Sequence, residues 1–241
     1  RRPVRSRPRR KPQTAPGETV RGRAESLGAR ADAIVRLENG AAAFAPGLLP
    51  GEEALLEVRG DRARIVERFS DAPERIAPVC PIADPCGGCA LQHFEAGAYA
   101  QWKRGLVVEA LAREGLSAEI EPLVEAWGGG RRRIVLHALR LGRRLITGFS
   151  ERAGERLVHA QDCPAAVPAI RTAFPGLHAL AETVTPAKGR ADIAVTATET
   201  GLDIAVSGGA ALDLPARERI ASLAYEHDWA RVTVDADPVI E

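Results

Sequence analysis

The sequence predicts a mixed fold, a small five-stranded β-barrel followed by an α+β domain, and three observations predict it. Five short strand-like runs crowd into positions 18–69, separated by turn residues. From position 131 onward the texture changes to longer strand runs that alternate with helical ones. Between the two stretches lie three of the chain's four cysteines, all within ten residues of one another.

Taken in order, residues 18–25 alternate around Val20, 33–37 carry Ile34 and Val35, 41–45 lead to Phe44, and 54–58 and 63–69 follow. The breaks are Glu38-Asn39-Gly40, Pro46-Gly47, Pro50-Gly51 and Gly60-Asp61, each suited to a turn. Short strands so closely spaced fit a closed barrel of oligonucleotide-binding type, with a sandwich fragment as the alternative. Residues 70–90 read as a Pro- and Cys-rich loop. Residues 95–114 then have helical spacing, with Tyr99, Trp102, Leu106, Val107, Ala110 and Leu111 on one apolar face and Gly115 as the stop. Residues 134–141 and 145–149 make a hairpin around Gly142, and 167–174 a short helix stopped by Pro175-Gly176. Residues 192–198 and 202–206 form a second hairpin, 216–225 a helix and 230–234 a last strand, with 122–130 as a loop inside this domain. The expected division is an arm over 1–17, the barrel over 18–70 and the α+β domain over 71–241.

Composition agrees with a folded chain. With 241 residues, 45% hydrophobic and 27% charged, one or two domains with a sizeable core are expected. No run approaches the ~20 apolar residues of a membrane span, and no signal-peptide core follows the basic start, so a cytoplasmic protein is expected. The chain has no Met and begins at Arg1, as expected of a piece of a longer product. Its net charge of +1 hides an asymmetry. Seven basic groups (Arg1, Arg2, Arg5, Arg7, Arg9, Arg10 and Lys11) open the sequence with no acid among them. Setting them aside leaves 26 basic residues against 32 acidic ones, a balance of −6. Pro3, Pro8, Pro12 and Pro16 punctuate this head, which is expected to be a disordered basic arm. Such an arm suits nucleic acid, because each Arg beside a phosphate releases counterions; a solvated tail is the bland alternative. Lys occurs only at 11, 103 and 188, so the Arg richness reads as coding bias and says little about RNA.

The cysteines carry the chemistry. Cys80, Cys86, Cys89 and Cys163 follow the pattern Cys-x5-Cys-x2-Cys and then a long gap. Two thiolates two residues apart can serve one metal centre from a tight turn, and Gly87-Gly88 lets the backbone fold closely there. Four thiolates suit tetrahedral zinc or a [4Fe–4S] cluster with one Cys on each iron, and spacing alone does not separate the two. A disulfide is disfavoured in a reducing compartment.

At this point the residues carry a resemblance. The stretch Cys80-Pro81-Ile82-Ala83-Asp84-Pro85-Cys86-Gly87-Gly88-Cys89-Ala90-Leu91-Gln92-His93, followed by Tyr99 and Lys103, resembles the cluster motif of the bacterial 23S rRNA uracil-C5 methyltransferases. Upstream, Phe44-Ala45-Pro46-Gly47-Leu48-Leu49-Pro50-Gly51-Glu52 resembles the signature turn of their OB-like TRAM domain, and Ser70-Asp71-Ala72-Pro73-Glu74-Arg75 resembles their linker. Downstream, Arg131-Arg132-Arg133, Gly148-Phe149 and Asp162-Cys163-Pro164 fall in the family's order, so the resemblance covers about residues 18–241. It implies that Cys80, Cys86, Cys89 and Cys163 hold a [4Fe–4S] cluster rather than zinc. It further implies a class I S-adenosylmethionine-dependent enzyme of rRNA processing that methylates C5 of a uridine in 23S rRNA.

One departure bears on mechanism. In that family a Cys nucleophile adds to C6 of uracil, C5 takes the methyl group from S-adenosylmethionine, and a general base removes the C5 proton. Here no Cys follows Cys163, and no Gly-x-Gly-x-x-Gly follows a strand. Gly128-Gly129-Gly130 precedes a strand rather than a helix and reads as a connector. These residues are therefore expected to be a recognition part with no catalytic residue of their own, and a Rossmann-like domain that binds S-adenosylmethionine is expected beyond Glu241. The alternative is a non-catalytic [4Fe–4S] RNA-binding module. Radical methylthiotransferases resemble Cys-x3-Cys-x2-Cys with one iron left open, so the five-residue gap and the fourth Cys count against them. The tRNA uracil-C5 methyltransferases generally lack both barrel and cluster motif.

The expected partner is RNA, 23S rRNA in particular, with no membrane and a monomeric state. Arg131, Arg132 and Arg133 open a strand, where alternation would put Arg131 and Arg133 on one face to fork onto phosphates; a solvated strand edge is the alternative. Arg21, Arg23, Arg36, Arg62 and Arg64 alternate along barrel strands and could form a second phosphate-facing surface. Phe44, Phe94 and Phe149 are candidate platforms for bases. His93, four residues after Cys89, is a candidate for touching RNA or the cluster, with a His satisfied by local backbone as the alternative, whereas His137 in an apolar strand is expected to be structural. The cluster is expected to tie the cysteine loop to the Cys163 segment rather than to carry electrons.

Overall fold

The computed structural model of the chain describes residues 17–124, 129–152, 154 and 156–240. The arm expected over 1–17 lies outside the described residues apart from Gly17, as do Trp127 and Gly128 of the glycine-rich connector. The chain divides into two compact units, Arg1–Arg75 and Ile76–Glu241.

The first unit is a closed barrel of β1 (Glu18–Leu27), β2 (Asp32–Leu37), β3 (Ala42–Pro46), β4 (Glu53–Arg59) and β5 (Arg62–Arg68), in the order β1-β2-β3-β5-β4 with β4 returning to β1. Small inward side chains let so few strands close. Ala24, Ala43, Ala45 and Ala54 share the interior with Val35, Leu37, Leu48, Leu49 and Leu56. At Gly22 a Cβ would stand 2.6 Å from the Val35 side chain, so only glycine fits that point of β1. The turn before β4 uses Gly47 and Gly51 at φ of +93° and +90°, the left-handed region that glycine enters without strain.

That turn is locked by a buried carboxylate. Glu52 is 0% exposed, and its Oε2 accepts the Leu49 amide at 2.8 Å while Oε1 accepts the Ala72 amide at 3.0 Å. Arg75 closes the arrangement: Nε donates to Oε1, and Nη2 donates to Oε2 and to the Gly47 carbonyl, both at 2.7 Å. Burial pushes the Glu52 carboxyl up, but the bonds from Arg75, Leu49 and Ala72 outweigh it and hold the group below its ordinary 4.5. The turn and the segment after the last strand are thereby one body, which is why the first unit runs on to Arg75.

The second unit opens with α1 (Ala96–Arg113), capped by the Glu95 carboxylate on the Gly97 and Ala98 amides at 2.8 Å each and ended at Gly115. Its expected apolar face is not buried: none of its residues is, and Val107 and Val108 are 48% and 43% exposed. Capping rather than packing defines this helix. A seven-stranded sheet follows. Its strands are β6 (Arg133–Leu141), β7 (Arg144–Ser150), β8 (Leu157–His159), β9 (Gly189–Ala197), β10 (Leu202–Ser207), β11 (Trp229–Val234) and β12 (Asp237–Ile240). They are arranged β12-β11-β10-β9-β6-β7-β8, with β10 and β11 parallel around α4 (Leu214–Glu226) and the other pairs antiparallel. Alternation buries Ile134, Leu136, Ile193, Val195, Ile204 and Val232 against Phe174, Leu177, Leu180 and Ile220 of the helices. One face of the sheet thus carries the core, the α+β arrangement.

Two expectations need correction here. The helix expected over 167–174 is two helices, α2 (Pro168–Thr172) and α3 (Phe174–Val184), and Pro175-Gly176 opens α3 instead of stopping it. Proline costs nothing in a first turn, where its missing N–H has no partner to lose. The strand over 230–234 is not the last, since the chain reverses at Asp235 and Ala236, both at positive φ, into β12.

Arg75→Ala leaves the Glu52 carboxylate buried without its cation, so the barrel should lose about 3–5 kcal/mol of stability, read from hydrogen exchange of the β1 and β4 amides. Because the folded carboxyl lies below its ordinary value, its contribution is full above that value and is lost as pH falls through the folded one. Glu52→Gln should therefore flatten the acid limb of the barrel's stability profile.

Candidate functional site

The cysteine loop is seated on the end of β7. Between Cys80 and Cys86 the chain turns twice, with the Ala83 amide donating to the Cys80 carbonyl at 3.1 Å and the Cys86 amide to the Ile82 carbonyl at 3.0 Å. The Gly87 amide then donates to the Ser150 carbonyl at 2.9 Å, the Arg152 amide to the Pro85 carbonyl at 3.2 Å, and Cys86 bridges Glu151. A Cβ on Gly87 would stand 3.0 Å from the Ser150 oxygen and 3.2 Å from the Arg152 backbone, so a side chain here would press the end of β7 back by a few tenths of an ångström. The Arg152 Nη2 covers the outgoing turn, donating to the Cys89 carbonyl at 2.7 Å.

The Cys163 segment is held by the residue before β6. The Arg131 amide donates to the Ala165 carbonyl at 3.0 Å, and the Arg131 carbonyl accepts the Val167 amide at 2.9 Å. Asp162 caps the Cys163 amide at 2.6 Å and is itself held by Arg171. As a result Cys80, Cys86, Cys89 and Cys163 line one pocket, together with Ile82, Gln92, Arg131 and Phe149. All four are free thiols. Cys86 and Cys163 are 9% exposed, and burial pushes both thiols up, with the Arg131 charge opposing that rise. As the side chains stand, the pocket encloses about 20 Å³, room for one water-sized body. Among the described residues no three His, Cys, Asp or Glu side chains converge tightly enough to hold a single metal ion.

The arginines expected to face RNA are placed unevenly. Arg131 precedes β6, bridges Ala166, and its Nη2 donates to the Gly88 carbonyl at 3.2 Å inside the cysteine pocket. Arg132 folds its guanidinium onto the Ala197 carbonyl at 3.1 Å. Arg133 alone of the three makes no side-chain bond among the described residues. On the barrel, Arg62 pairs with Asp32 at 2.8 Å, and Arg64 and Arg59 hold Glu57, whose carboxyl falls to about 2. His93 does not line the cysteine pocket, where Gln92 accepts the Cys80 amide at 3.1 Å instead. His137 Nδ1 lies 2.8 Å from Asp192 on the open sheet face. Phe94 is buried at 8% exposure and Phe149 belongs to the cysteine pocket, leaving Phe44, at 38%, as the exposed platform of the three.

A second site lies on the barrel. Arg21, Arg23 and Arg36 line a groove of about 360 Å³ with Phe69, which is 43% exposed and has the Arg21 guanidinium 4.8 Å above its ring. Arg23 and Arg36 sit opposite each other on β1 and β2, steadied by Glu53 and Glu25. Sequence reading missed Phe69 because it sits just past β5, where strand alternation no longer says which way a side chain points.

No family model matches the chain. It is similar to an uncharacterized RNA methyltransferase of Caulobacter vibrioides, 40% identical over 221 residues, which are 89% of this chain and 53% of that protein. It is also similar to an uncharacterized RNA methyltransferase of Mesorhizobium japonicum, 36% identical over 90% of this chain and 52% of the relative. The 23S rRNA (uracil(1939)-C(5))-methyltransferase RlmD of Enterobacter sp. (strain 638) is 29% identical over 86% of this chain and 49% of its own length. The chain thus spans about half the length of the curated relatives it matches.

Gly87→Ala should lift the Cys86–Cys89 turn off β7 at a local cost of about 1–3 kcal/mol, seen as loss of protection at that amide and faster alkylation of Cys86. Gly88→Ala should leave both unchanged, since its methyl would stand an ordinary 3.5 Å from the Cys86 sulfur.

Proposed function

We propose that this chain is the RNA-recognition part of an S-adenosylmethionine-dependent methyltransferase that modifies C5 of a uridine in 23S rRNA. One observation carries the reading: 40% identity over 89% of the chain to a protein named as an RNA methyltransferase. The groove on the barrel supports it, because the exposed Phe69 ring offers a base a stacking face, with Arg21, Arg23 and Arg36 beside it among Glu25, Glu38 and Glu53. Of Arg131, Arg132 and Arg133, Arg133 is the one whose side chain makes no hydrogen bond among the described residues and so is open to a phosphate. No residue of this chain is assigned to S-adenosylmethionine or to the nucleophile. The methyl-transferring machinery belongs, in this reading, to the half of the relatives outside the match.

The four cysteines are read as the ligands of one [4Fe–4S] cluster. What supports this reading is the donor set: four thiols share one pocket without a disulfide, two of them buried. As the side chains stand, the space they line is about 20 Å³, smaller than a four-iron body, so loading requires the lining to rearrange. When bound, the cluster would supply iron–thiolate bonds joining the Cys80–Cys89 loop to the Cys163 segment. Methyl transfer from S-adenosylmethionine moves no net electrons, so those bonds serve the shape of the RNA-binding part.

The RNA reading is tested by anisotropy titration of the full chain with segments of 23S and 16S rRNA. The 23S segment that carries the target uridine should bind more tightly, with affinity falling steeply as salt rises. Phe69→Ala should weaken binding about tenfold, the worth of one stacked base, while Tyr225→Ala, at a 92% exposed ring on α4, should change nothing. Equal affinity for both RNAs, or for both variants, contradicts the assignment.

A further inference from the structure

We propose that Arg131 is the positioning residue of the four-cysteine pocket. The proposal rests on the reading of those cysteines as one ligand set. Its main chain and its side chain reach different cysteine segments. The main chain clasps the Cys163 segment through Ala165 and Val167, at 3.0 and 2.9 Å. The guanidinium crosses the pocket and donates from Nη2 to the Gly88 carbonyl at 3.2 Å, between Cys86 and Cys89 and 43 positions away in sequence. A single residue therefore bonds to both segments.

Arginine suits this place on two counts. Its planar fork reaches a carbonyl while keeping its direction, and a charged donor makes a stronger bond than a neutral one. It is also the one cation among the described pocket-lining residues, and the one carboxylate there, Asp162, is already paired with Arg171 at 2.6 Å. The Arg131 charge is thus left to face the cysteine sulfurs. Arg152 does a different job, covering the Cys89 and Ala90 carbonyls at 2.7 and 3.4 Å without lining the pocket. Arg132, the next residue, is turned to the Ala197 carbonyl and makes a matched control.

The test uses the full chain with Arg131→Gln, Arg131→Lys and Arg132→Gln. Hydrogen exchange is followed over residues 86–90 and 163–167 in iron-free protein, with β9 and β10 amides as the control for folding. Chains reconstituted with iron and sulfide are then challenged with a chelator. Arg131→Gln should exchange roughly tenfold faster in both segments and lose iron roughly tenfold faster, with Arg131→Lys between and Arg132→Gln like wild type. Wild-type exchange in Arg131→Gln overturns the proposal. If the wild-type chain retains no iron yet the exchange coupling holds, the cluster reading fails and the positioning role stands. If wild type and Arg131→Gln retain iron equally and exchange alike, the positioning role fails and the cluster reading stands. Should Arg131→Gln lose the β9 and β10 protection, Arg131→Lys against Arg132→Gln decides by the same criteria.

Discussion

Two cysteine segments far apart in sequence have to meet at one pocket, and the pairing of β6 with β7 brings them there. The end of β7 carries the Cys86–Cys89 turn through the Ser150 carbonyl, and the residue leading into β6 carries the Cys163 segment through its main chain. Because the two strands are antiparallel neighbours, the end of one lies beside the start of the other. The hairpin is thus the frame, and the thiols inherit their separation from strand register. The glycine at 87 and the arginine at 131 are the fittings at its two corners, one by having no side chain and one by having a long, charged one.

The barrel solves a related problem with a buried charge. A fully desolvated carboxylate is costly, and Glu52 is tolerated because two amides and a bidentate guanidinium saturate it. The same carboxylate joins a turn between strands to the segment that follows the barrel. Elsewhere on the barrel the charge is balanced in exposed pairs such as Arg62 with Asp32 and Arg64 with Glu57, which contribute little to stability and are screened by salt. Balancing leaves a surface whose most distinctive feature is a ring, Phe69, and not a field. Recognition by stacking and local charge follows from that balance more readily than long-range attraction does.

What the sequence made legible was whatever is decided locally. The five barrel strands and the first hairpin of the sheet were readable because turn glycines and alternation of side chains are properties of a few neighbouring residues. Gly115 ended α1 where helical periodicity stopped. Contacts made at a distance were not legible. The three-residue β8 exists only because β7 offers it an edge, and β12 only because β11 does. Arg131 read as a phosphate fork because nothing near it in sequence announces that its partner is the carbonyl of Gly88. Of the candidate site, the four cysteines were visible as a pattern, the groove around Phe69 was not, and the apolar stripe of α1 was visible but is not buried in this chain. Chemistry that depends on residue type survives the reading, and chemistry that depends on which surfaces meet does not.

The role we propose for Cys80, Cys86, Cys89 and Cys163 is that of one ligand set for a [4Fe–4S] cluster. It is tested most directly on anaerobically purified full chain, by iron, acid-labile sulfide and zinc determination joined to Mössbauer spectroscopy. About four irons and about four sulfides per chain, in one cubane environment, is the predicted result. Stoichiometric zinc without sulfide, or four reactive thiols with no metal, would contradict it.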